Sequence, residues 1–433
     1  MKKLILMCAM KVLSILALIA MLGPVGCAAW PSGSVSAGEV ICSEKQRLTS
    51  PDVPGDDLAE LEAGNSAFAF NLYQMLSREQ DGNLFYSPYS ISLALAMTYA
   101  GARGVTEEQM AETLHYTLPQ ERLHPAFNAL DTALTSYDEE DEDGFQISIA
   151  NAIWGQAGYE FLSAFLDTLA ENYGAGLRTQ DFVKETEAAR QTINRWVSDQ
   201  TEEKIKDLIP QGALGAATRL VLTNAIYFNG KWVTPFEKSK THDDTFNLMD
   251  RSTVTVPMMT RTGWIEYAEG IGYQAAALPY RGADMAMVFV LPEEGRFAEI
   301  EEAFSPELLA SIMESFEPQQ VKITVPKFTF EWALSVAETL IEMGMPSAFR
   351  GADFSGMTGN RDLFISDVLH KAFVAVDEEG TEAAAATAVI MELSAIIEEP
   401  AVVMKLDRPF LFVIRNNSTG TILFVGRVLN PEG

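Results

Sequence analysis

Cysteine is scarce in this sequence, and its only three copies lie near the N-terminus, at Cys8, Cys27 and Cys42. A disulfide-stapled fold needs cysteine pairs spread through the chain. No such framework can form over the body of this protein, so a hydrophobic core must stabilise it. The 48% hydrophobic content and the 19 prolines among 433 residues are typical of a globular chain. We predict one large domain over residues 58–433.

Basic residues are also few. The 31 lysines and arginines stand against 60 aspartates and glutamates, which gives a formal net charge of -29. A field of this sign repels nucleic acid, heparin-like polyanions and anionic lipid surfaces. We therefore expect no nucleic-acid partner and no heparin-like cofactor. The densest acidic run, at residues 138–143, is interpreted as a solvated loop rather than a cation site.

The motifs of common enzymes are missing. The sequence has no Gly-x-Ser-x-Gly elbow, no His-Glu-x-x-His zinc helix, no phosphate loop and no Gly-x-Gly-x-x-Gly fingerprint. A Ser-His-Asp triad assembled from distant segments stays open but has no positive support. None of the four histidines has a second ligand at metal-binding spacing, so we predict no enzyme activity, no metal and no cofactor. The histidines are His115, His124, His242 and His370.

Residues 1–27 have the pattern of an export signal. Lys2 and Lys3 precede an apolar stretch at residues 12–22, and small residues follow up to Cys27. The stretch is short for a spanning helix, so we predict cleavage and an extracellular protein. Pro-Val-Gly-Cys at residues 24–27 also resembles a lipoprotein processing box, which would attach lipid to Cys27 and hold the protein at the cell surface. Residues 28–57, rich in Ser, Pro, Gly and Asp, are predicted to form a flexible tether.

Helical patterns dominate the first part of the chain and strand patterns the second. Helices are predicted from about residue 58, over residues 91–100 after a cap at Ser87, and over residues 188–208. The apolar run at residues 219–228 predicts a strand buried on both faces. Other strands are predicted at residues 84–86, 146–150, 274–278, 285–291, 321–330, 372–376, 410–415 and 421–428. This order, without regular alternation, indicates an α+β fold with large antiparallel or mixed sheets.

The most unusual segment joins two predicted strands. Residues 378–388 read Glu-Glu-Gly-Thr-Glu-Ala-Ala-Ala-Ala-Thr-Ala, and an apolar-rich stretch follows to residue 397. The alanines alone favour a helix, yet a connection this long is uncommon unless it is functional. As an extended strand it would turn Glu382 to one face and small residues to the other, so it could slide between existing strands. The small residues are Thr381, Ala383, Ala385 and Thr387.

With this segment the chain resembles the serpin family over residues 58–431. Four motifs occur in family order: Asn-Leu-Phe-Tyr-Ser-Pro at residues 83–88, the run at residues 222–232, the segment at residues 378–387, and the C-terminal motifs at residues 407–412 and 426–428. The resemblance implies three β-sheets, about nine helices, and an exposed reactive-centre loop at about residues 378–400 above a five-stranded central sheet.

The resemblance also implies an activity. A serine endopeptidase would cleave the loop, and the acyl-enzyme would be trapped when the loop inserts as a new strand of the central sheet; a cysteine endopeptidase stays open as a target. The chain would act as a monomer.

Family roles carry over to several residues. The loop hinge would be Glu378, Glu379, Gly380, Thr381, Glu382, Ala383, Ala384, Ala385, Ala386 and Thr387. The polar shutter beneath the strands that must part would be Ser87, Ser90, Asn224 and His370. Trp232 would mark the breach, where insertion begins. Without the family, His370 is interpreted as a satisfied core histidine.

The spacing from Gly380 implies a reactive bond between Ser394 and Ala395. The distance from the hinge to Pro409 is a few residues longer than in many relatives, so three other bonds stay open: Leu393–Ser394, Met391–Glu392 and Ala395–Ile396. The loop contains no arginine or lysine, which disfavours a trypsin-like target whose pocket holds a carboxylate. Elastase-like, subtilisin-like and chymotrypsin-like enzymes fit better.

The main alternative is a non-inhibitory family member that acts as a binding, carrier or chaperone-like protein. Such members usually carry bulky, charged or proline residues in the hinge. None stands at the inward-facing hinge positions of this chain. Inhibition is therefore the favoured interpretation.

Overall fold

The computed structural model describes residues 39–135, 145–282, 284–381 and 402–433. Eleven α-helices lie in these ranges. The first six are α1 (Gly55–Glu79), α2 (Pro88–Tyr99), α3 (Gly104–Leu114), α4 (Gln120–Thr135), α5 (Ser163–Tyr173) and α6 (Thr186–Gln200). The others are α7 (Phe297–Glu302), α8 (Pro306–Glu314), α9 (Ala337–Met343), α10 (Pro346–Phe349) and α11 (Ser355–Thr358). A 3₁₀ turn spans Lys238–Lys240.

Sixteen strands are present in the same ranges. The first five are β1 (Glu39–Ile41), β2 (Leu84–Tyr86), β3 (Phe145–Gln156), β4 (Leu177–Gln180) and β5 (Leu220–Lys231). The next six are β6 (His242–Asn247), β7 (Thr253–Gly270), β8 (Tyr273–Pro279), β9 (Met285–Pro292), β10 (Glu317–Pro326) and β11 (Phe328–Ser335). The last five are β12 (Ile365–Val376), β13 (Gly380–Thr381), β14 (Val402–Lys405), β15 (Phe410–Asn416) and β16 (Ile422–Val428).

The predicted α+β class is confirmed, and so are most predicted elements. Helix α2 begins one residue after Ser87, whose hydroxyl accepts a hydrogen bond from the backbone N–H of Ser90 at 3.2 Å, as a helix cap does. Every residue of α2 is buried, because the helix lies beneath a sheet. Helix α6 is shorter than the predicted 188–208, since Glu202 and Glu203 adopt positive φ angles just after it ends.

The central sheet has the strand order β1-β4-β3-β5-β13-β12-β11. Strand β5 is buried from Leu220 to Phe228, as its apolar run predicts. One face of the sheet packs on α6 through a cluster that includes Ala225 and Ile193. The other face packs on the main core. Helix α6 therefore covers the sheet from outside, and α2 supports it from inside.

Strands β5 and β12 are parallel neighbours along most of their length and separate at one end. They pair from Leu220 opposite Ile365 to Tyr227 opposite Phe373. Beyond that point the two-residue strand β13 lies between them: Thr381 is opposite both Gly230 and Val376, and Gly380 is opposite Lys231. The central sheet thus already holds the first residues of the segment that follows β12.

The second sheet has the order β14-β10-β7-β8-β9-β15-β16-β2, with β6 paired to β7. The resemblance implies three sheets, whereas backbone pairing in the described residues gives two. The reason is that β7 is 18 residues long and pairs first with β6 and β10 and then with β8, which joins two layers. The strand predicted at residues 321–330 is two strands, β10 and β11, and they belong to different sheets.

The tether predicted at residues 28–57 needs a correction. Residues 39–54, here called the N-terminal strap, pack on the domain: β1 pairs antiparallel with β4, and Arg47 binds Asn128 and Asp131 on α4. The prediction was wrong for this part because Lys45 and Arg47 form ion pairs with carboxylates on distant helices, and the composition of the segment does not show such pairs. Helix α1 also begins at Gly55, three residues before the predicted start.

Several predictions fall outside the described residues. These are the export signal and Cys8 and Cys27, residues 28–38 of the tether, the acidic run at residues 138–143, and the loop over residues 382–401. In the parts of the chain that the structure does describe, no helix is both long and apolar enough to span a membrane.

Candidate functional site

The base of the loop is held in the central sheet by close backbone contact. A Cβ atom on Gly380 would lie 2.0 Å from the carbonyl oxygen of Gly230 and 2.7 Å from the Cα of Lys231. Both distances are far below van der Waals contact, so only glycine allows β13 to lie this close to β5. This is the physical reason for glycine at the predicted hinge.

Thr381 is completely buried at the inner face of the sheet. Its hydroxyl lies 2.7 Å from the hydroxyl of Tyr280. The Tyr280 ring stacks on the indole of Trp232, with ring centroids 4.6 Å apart and planes 18° apart. A buried tyrosine hydroxyl needs a partner, and Thr381 supplies it. Tyr280 is not predicted as a site residue from the sequence, because nothing in its local pattern distinguishes it from a core aromatic residue.

Trp232 holds the turn that leads into β13. Its backbone N–H donates to the carbonyl of Glu379 at 2.8 Å, and its indole N–H donates to the carbonyl of Asp377 at 3.1 Å. The backbone N–H of Phe236 donates to the carbonyl of Glu378 at 2.7 Å. Three successive carbonyls of the loop base are therefore satisfied by one segment, which fixes the direction of the chain as it enters the gap.

Two ion pairs flank this turn. Glu378 is buried, with 5% of its surface exposed. Its carboxylate accepts hydrogen bonds from Lys327 Nζ at 2.6 Å and from the Thr241 hydroxyl at 2.8 Å. Burial by itself would raise the pKa of Glu378, but the Lys327 and Thr241 bonds, a backbone bond and the Lys327 charge outweigh it, and the pKa is lowered. Glu379 pairs with the exposed Lys238 at 2.7 Å.

The four residues predicted for the polar shutter lie together beneath β5 and β12. The backbone N–H of Ser87 donates to His370 Nε2 at 3.3 Å, and the other ring nitrogen, Nδ1, is hydrogen-bonded to Asn224 Oδ1. Asn224 Nδ2 donates at 2.6 Å to the hydroxyl of Ser90 and also at 2.6 Å to Oδ1 of Asn151. Asn151 is a site residue that no motif in the sequence predicts. Its signal was a polar side chain inside the apolar alternation of β3.

These bonds assign the tautomer of His370. Because Nε2 accepts from Ser87, the ring proton lies on Nδ1 and donates to Asn224. The imidazole is 1% exposed, and burial lowers its pKa from 6.5 to about 3. His370 is thus neutral and satisfied in the core, and it joins the two strands on either side of the gap.

The remaining predicted site residues lie outside the described ranges. These are Glu382, Ala383, Ala384, Ala385, Ala386 and Thr387 of the hinge, Met391, Leu393, Ser394 and Ala395 near the reactive bond, and Cys27. Within the described ranges, no three His, Cys, Asp or Glu side chains cluster in a way that could hold a metal ion.

Comparison with known proteins identifies the family of this chain. The sequence profile of the family described as "Serpin (serine protease inhibitor)" matches residues 63–431. An uncharacterized serpin-like protein of Thermococcus kodakarensis is 40% identical over 379 residues, which cover 87% of each chain. Leukocyte elastase inhibitor A of Rattus norvegicus is 38% identical over 86% of this chain and 100% of the relative.

Solved structures with a similar fold belong to the same comparison. The crystal structure of human thyroxine-binding globulin in complex with thyroxine superimposes with a TM-score of 0.78 and 32% identity, over 87% of this chain and all of that one. The profile match spans most of the sequence, and both curated relatives exceed 35% identity. This chain belongs to the serpin family, whose members are described as serine protease inhibitors.

Proposed function

We propose that this protein inhibits serine endopeptidases as a suicide substrate, with cysteine endopeptidases as a second target class. The protease hydroxyl attacks the carbonyl carbon of the reactive bond, the amine of the following residue leaves, and an ester joins protease and inhibitor. The cleaved loop then inserts between β5 and β12 before water hydrolyses the ester. The observation that carries the proposal is strand β13, two residues of the loop that already lie in that gap.

The register of β13 supports complete insertion. Thr381 is opposite Gly230 and Gly380 is opposite Lys231, so each further loop residue would pair one residue earlier along β5. Continued in this way, Met391 would lie opposite Leu220, where β5 begins. Residues after 391 would emerge at the far end of the sheet. This supports a reactive bond beyond Met391, as in the predicted Ser394–Ala395, and disfavours Met391–Glu392.

The same register explains the composition of the loop. Odd-numbered residues would share the face of Thr381, which is the inner face of the sheet. Those residues are Thr381, Ala383, Ala385, Thr387, Val389 and Met391. Even-numbered residues, among them Glu382 and Glu392, would turn to the opposite face near the two ends of the sheet. Every charge in the inserted segment would thereby avoid the core.

Thr387 would take a specific position in this arrangement. Counted along the same register it would lie opposite Asn224 on β5 and His370 on β12. Insertion has to break the hydrogen bond between these two side chains, and the Thr387 hydroxyl could donate to one and accept from the other. A polar residue in the middle of an otherwise small and apolar segment thus has a physical explanation.

The energy for trapping would come from hydrogen bonds and apolar contacts that the loop forms only after it inserts. Each net ladder hydrogen bond contributes about 0.5–1.5 kcal/mol, and burial of apolar side chains adds about 25 cal/mol per Å². A strand of about ten residues would supply enough energy to move a bound protease along the sheet. The native state would then be a kinetic trap rather than the most stable arrangement.

Loop composition supports the choice of target. The segment from residue 380 to 397 contains no arginine or lysine. A trypsin-like pocket holds a carboxylate that needs a cation, so this loop offers it no ligand. Serine and alanine at the predicted bond suit the small pocket of an elastase-like enzyme or the broad pocket of a subtilisin-like one. The name of the leukocyte elastase inhibitor relatives agrees with this choice.

The test is to mix the purified protein with elastase-like, subtilisin-like and chymotrypsin-like proteases and run denaturing gels with mass spectrometry of the released peptide. We expect a denaturant-resistant complex and a peptide that begins at Ala395. A protease whose nucleophilic serine is replaced by alanine is the control and should give no complex. Clean cleavage without a complex from every protease would instead support the non-inhibitory alternative.

We also infer that the protein is exported, from the signal-like pattern of residues 1–27. Two outcomes distinguish the forms of export. Intact-mass measurement of the mature protein would show a lipid-modified N-terminus at Cys27 if the processing box is used. A mature chain without lipid would indicate simple cleavage, and a chain that keeps residues 1–27 in the producing cell would contradict export.

A further inference from the structure

We propose that the N-terminal strap, residues 39–54, restrains the central sheet and sets how fast it takes up a further strand. The proposal rests on the insertion mechanism given above. The strap lies before residue 63, where the match to the family profile begins, so the profile assigns it no role. Its contacts are with three different elements of the domain.

At one end the strap belongs to the sheet. Strand β1 pairs antiparallel with β4, with Glu39 opposite Thr179 and Ile41 opposite Leu177. The contact that follows is tight, because a Cβ atom on Gly176 would lie 2.9 Å from the carbonyl oxygen of Ile41. The strap therefore moves with β4 if β4 moves.

The middle of the strap crosses α5. The Ser43 hydroxyl donates to Asp167 at 2.5 Å, and Lys45 Nζ lies 2.8 Å from a carboxylate oxygen of Glu171 and 3.3 Å from one of Asp167. The backbone N–H of Leu48 donates to the carbonyl of Glu171 at 2.9 Å. Two side chains and one backbone group hold the strap along one side of this helix.

The other end of the strap is fixed to α4. Arg47 Nε donates to Asn128 Oδ1 at 2.8 Å, and a terminal nitrogen of Arg47 lies 2.6 Å from Asp131 Oδ2. Asn128 Nδ2 in turn donates to the carbonyl of Leu48 at 2.7 Å. The other oxygen of Asp131 accepts from the hydroxyl of Tyr89 on α2 at 3.2 Å. Arg47 is thus connected to the helices that underlie the sheet.

This arrangement opposes opening of the gap. A strand that enters between β5 and β12 has to move the group β1-β4-β3-β5 away from β12 and β11, or the reverse. The strap connects the outer edge of that group to α4, which packs on α1. Movement of the edge relative to α4 would stretch the contacts of Arg47 or Lys45. The restraint is largely made of charge pairs, so salt should weaken it.

A cavity beside β3 provides room for the movement. It has a volume of about 300 Å³, and its lining includes Arg47 and Asp131 together with Ile147, Ile149 and Asn151 of β3. Close-packed interiors resist movement, whereas a strand next to a cavity can shift without displacing neighbours. The Arg47–Asp131 pair forms part of the wall of the space into which β3 would move.

The experiment measures insertion without any protease. A synthetic peptide with the sequence of residues 382–392, which begins after the chain's own Thr381 in the gap, is added to the purified chain, and its uptake is followed over time by native gel and mass spectrometry. The variants are Arg47→Ala, Lys45→Ala and the double variant. Arg296→Ala is the matched control, because, like Lys45→Ala, it loses two carboxylate partners, here Glu293 and Glu299 at α7, away from the central sheet.

We expect the double variant to take up the peptide about three- to tenfold faster than wild type, as the loss of two or three ion pairs of modest strength implies. Arg296→Ala should stay within about twofold of wild type. Raising the salt concentration should accelerate wild type and leave the double variant nearly unchanged, and Arg47→Lys should lie between wild type and Arg47→Ala.

Equal rates for wild type and the double variant would overturn the proposal. Faster uptake by the double variant and by Arg296→Ala alike would also overturn it, since the effect would then be general destabilisation. A wild-type chain that takes up no peptide and traps no protease would contradict the insertion mechanism itself. The two failures are therefore distinguishable.

Discussion

His370 and Asn224 lie directly opposite each other on β12 and β5, and their side chains are hydrogen-bonded across the two strands. The pair lies at the middle of the gap that a further strand would enter, beneath which Ser87 and Ser90 begin helix α2. The same hydrogen bonds that satisfy a buried imidazole thus keep the two strands together. This coupling leads to the first prediction.

Acid should weaken the native state through His370. Its pKa is lowered from 6.5 to about 3 in the folded protein, so below pH 6.5 the unfolded chain binds more protons than the folded one. The stabilisation is complete above pH 6.5 and is lost as the pH falls towards 3. Between pH 7 and pH 5 the loss is roughly 2 kcal/mol for this histidine. Urea titrations at the two pH values measure it.

His124 is an internal comparison for this experiment, because burial lowers its pKa to about 4. His370→Asn should remove about half of the loss that the two histidines cause together, and His124→Asn about the other half. The quantity to compare is the change between pH 7 and pH 5 within each variant. A His370→Asn variant that keeps the full pH dependence would contradict the role of the buried neutral imidazole.

Thr381→Arg should convert the inhibitor into a substrate. The position already lies in the gap, has no exposed surface and faces Tyr280, so an arginine there would have to bury an unpaired charge, which costs several kcal/mol. The substitution should therefore expel β13 from the gap and oppose insertion of the cleaved loop. We expect cleavage of the loop without a stable complex, measured as the ratio of cleaved chain to complex on denaturing gels. Thr381→Val is the matched control: it loses only the hydroxyl contact and should still trap the protease. Unchanged trapping by Thr381→Arg would refute the insertion model.

Gly380→Ala should expel β13 from the central sheet. Its Cβ would overlap the carbonyl oxygen of Gly230, and both neighbours are backbone atoms that cannot rotate away. The amide of Thr381 should then exchange with solvent at least about tenfold faster, because the strand pairing that protects it is lost. Gly55→Ala, at the exposed start of α1 with no atom within 4 Å of the new Cβ, is the control. Equal exchange at Thr381 in both variants would show that the close contact is not needed.

The Glu378–Lys327 pair should stabilise the loop base measurably. Glu378 is buried, whereas the Lys327 side chain is 36% exposed, so the upper range for a buried pair has to be reduced for solvent screening. We expect a coupling free energy of about 1–2 kcal/mol in a double-mutant cycle of Glu378→Gln and Lys327→Met. Lys238→Met removes the neighbouring exposed pair with Glu379 and should change the unfolding free energy within experimental error. A coupling free energy near zero for Glu378 and Lys327 would mean that the ion pair does not stabilise the turn.

Much of the fold could be predicted from local patterns. The buried run of β5, the cap at Ser87 and the order of helices before strands each depend on neighbouring residues, and each is confirmed. The boundaries were less accurate, as for α6 and for the strand that divides into β10 and β11. The residue at which a chain passes from one sheet to another depends on pairing with strands that are distant in sequence. A local hydrophobic period carries no information about such pairing.

The candidate site also contains residues that the sequence predicts and residues that only the structure identifies. Ser87, Ser90, Asn224 and His370 were named from the resemblance to the serpin family, and they lie together in the structure. Tyr280, Lys327 and Asn151 complete the site, yet they are far apart in sequence from the residues they bind. Their contribution depends on distances of 2.6–2.7 Å across strands, which a linear pattern does not encode.

The sequence by itself determined the class of protein, through motifs that resemble the serpin family, and it determined the small residues of the predicted hinge and the absence of a disulfide framework, since residue types and their order can be read without the structure. Only the tertiary structure decided that two loop residues already lie in the central sheet and that residues 39–54 are a strap rather than a tether. Both depend on long-range pairing, whose energy comes from contacts between segments more than a hundred residues apart.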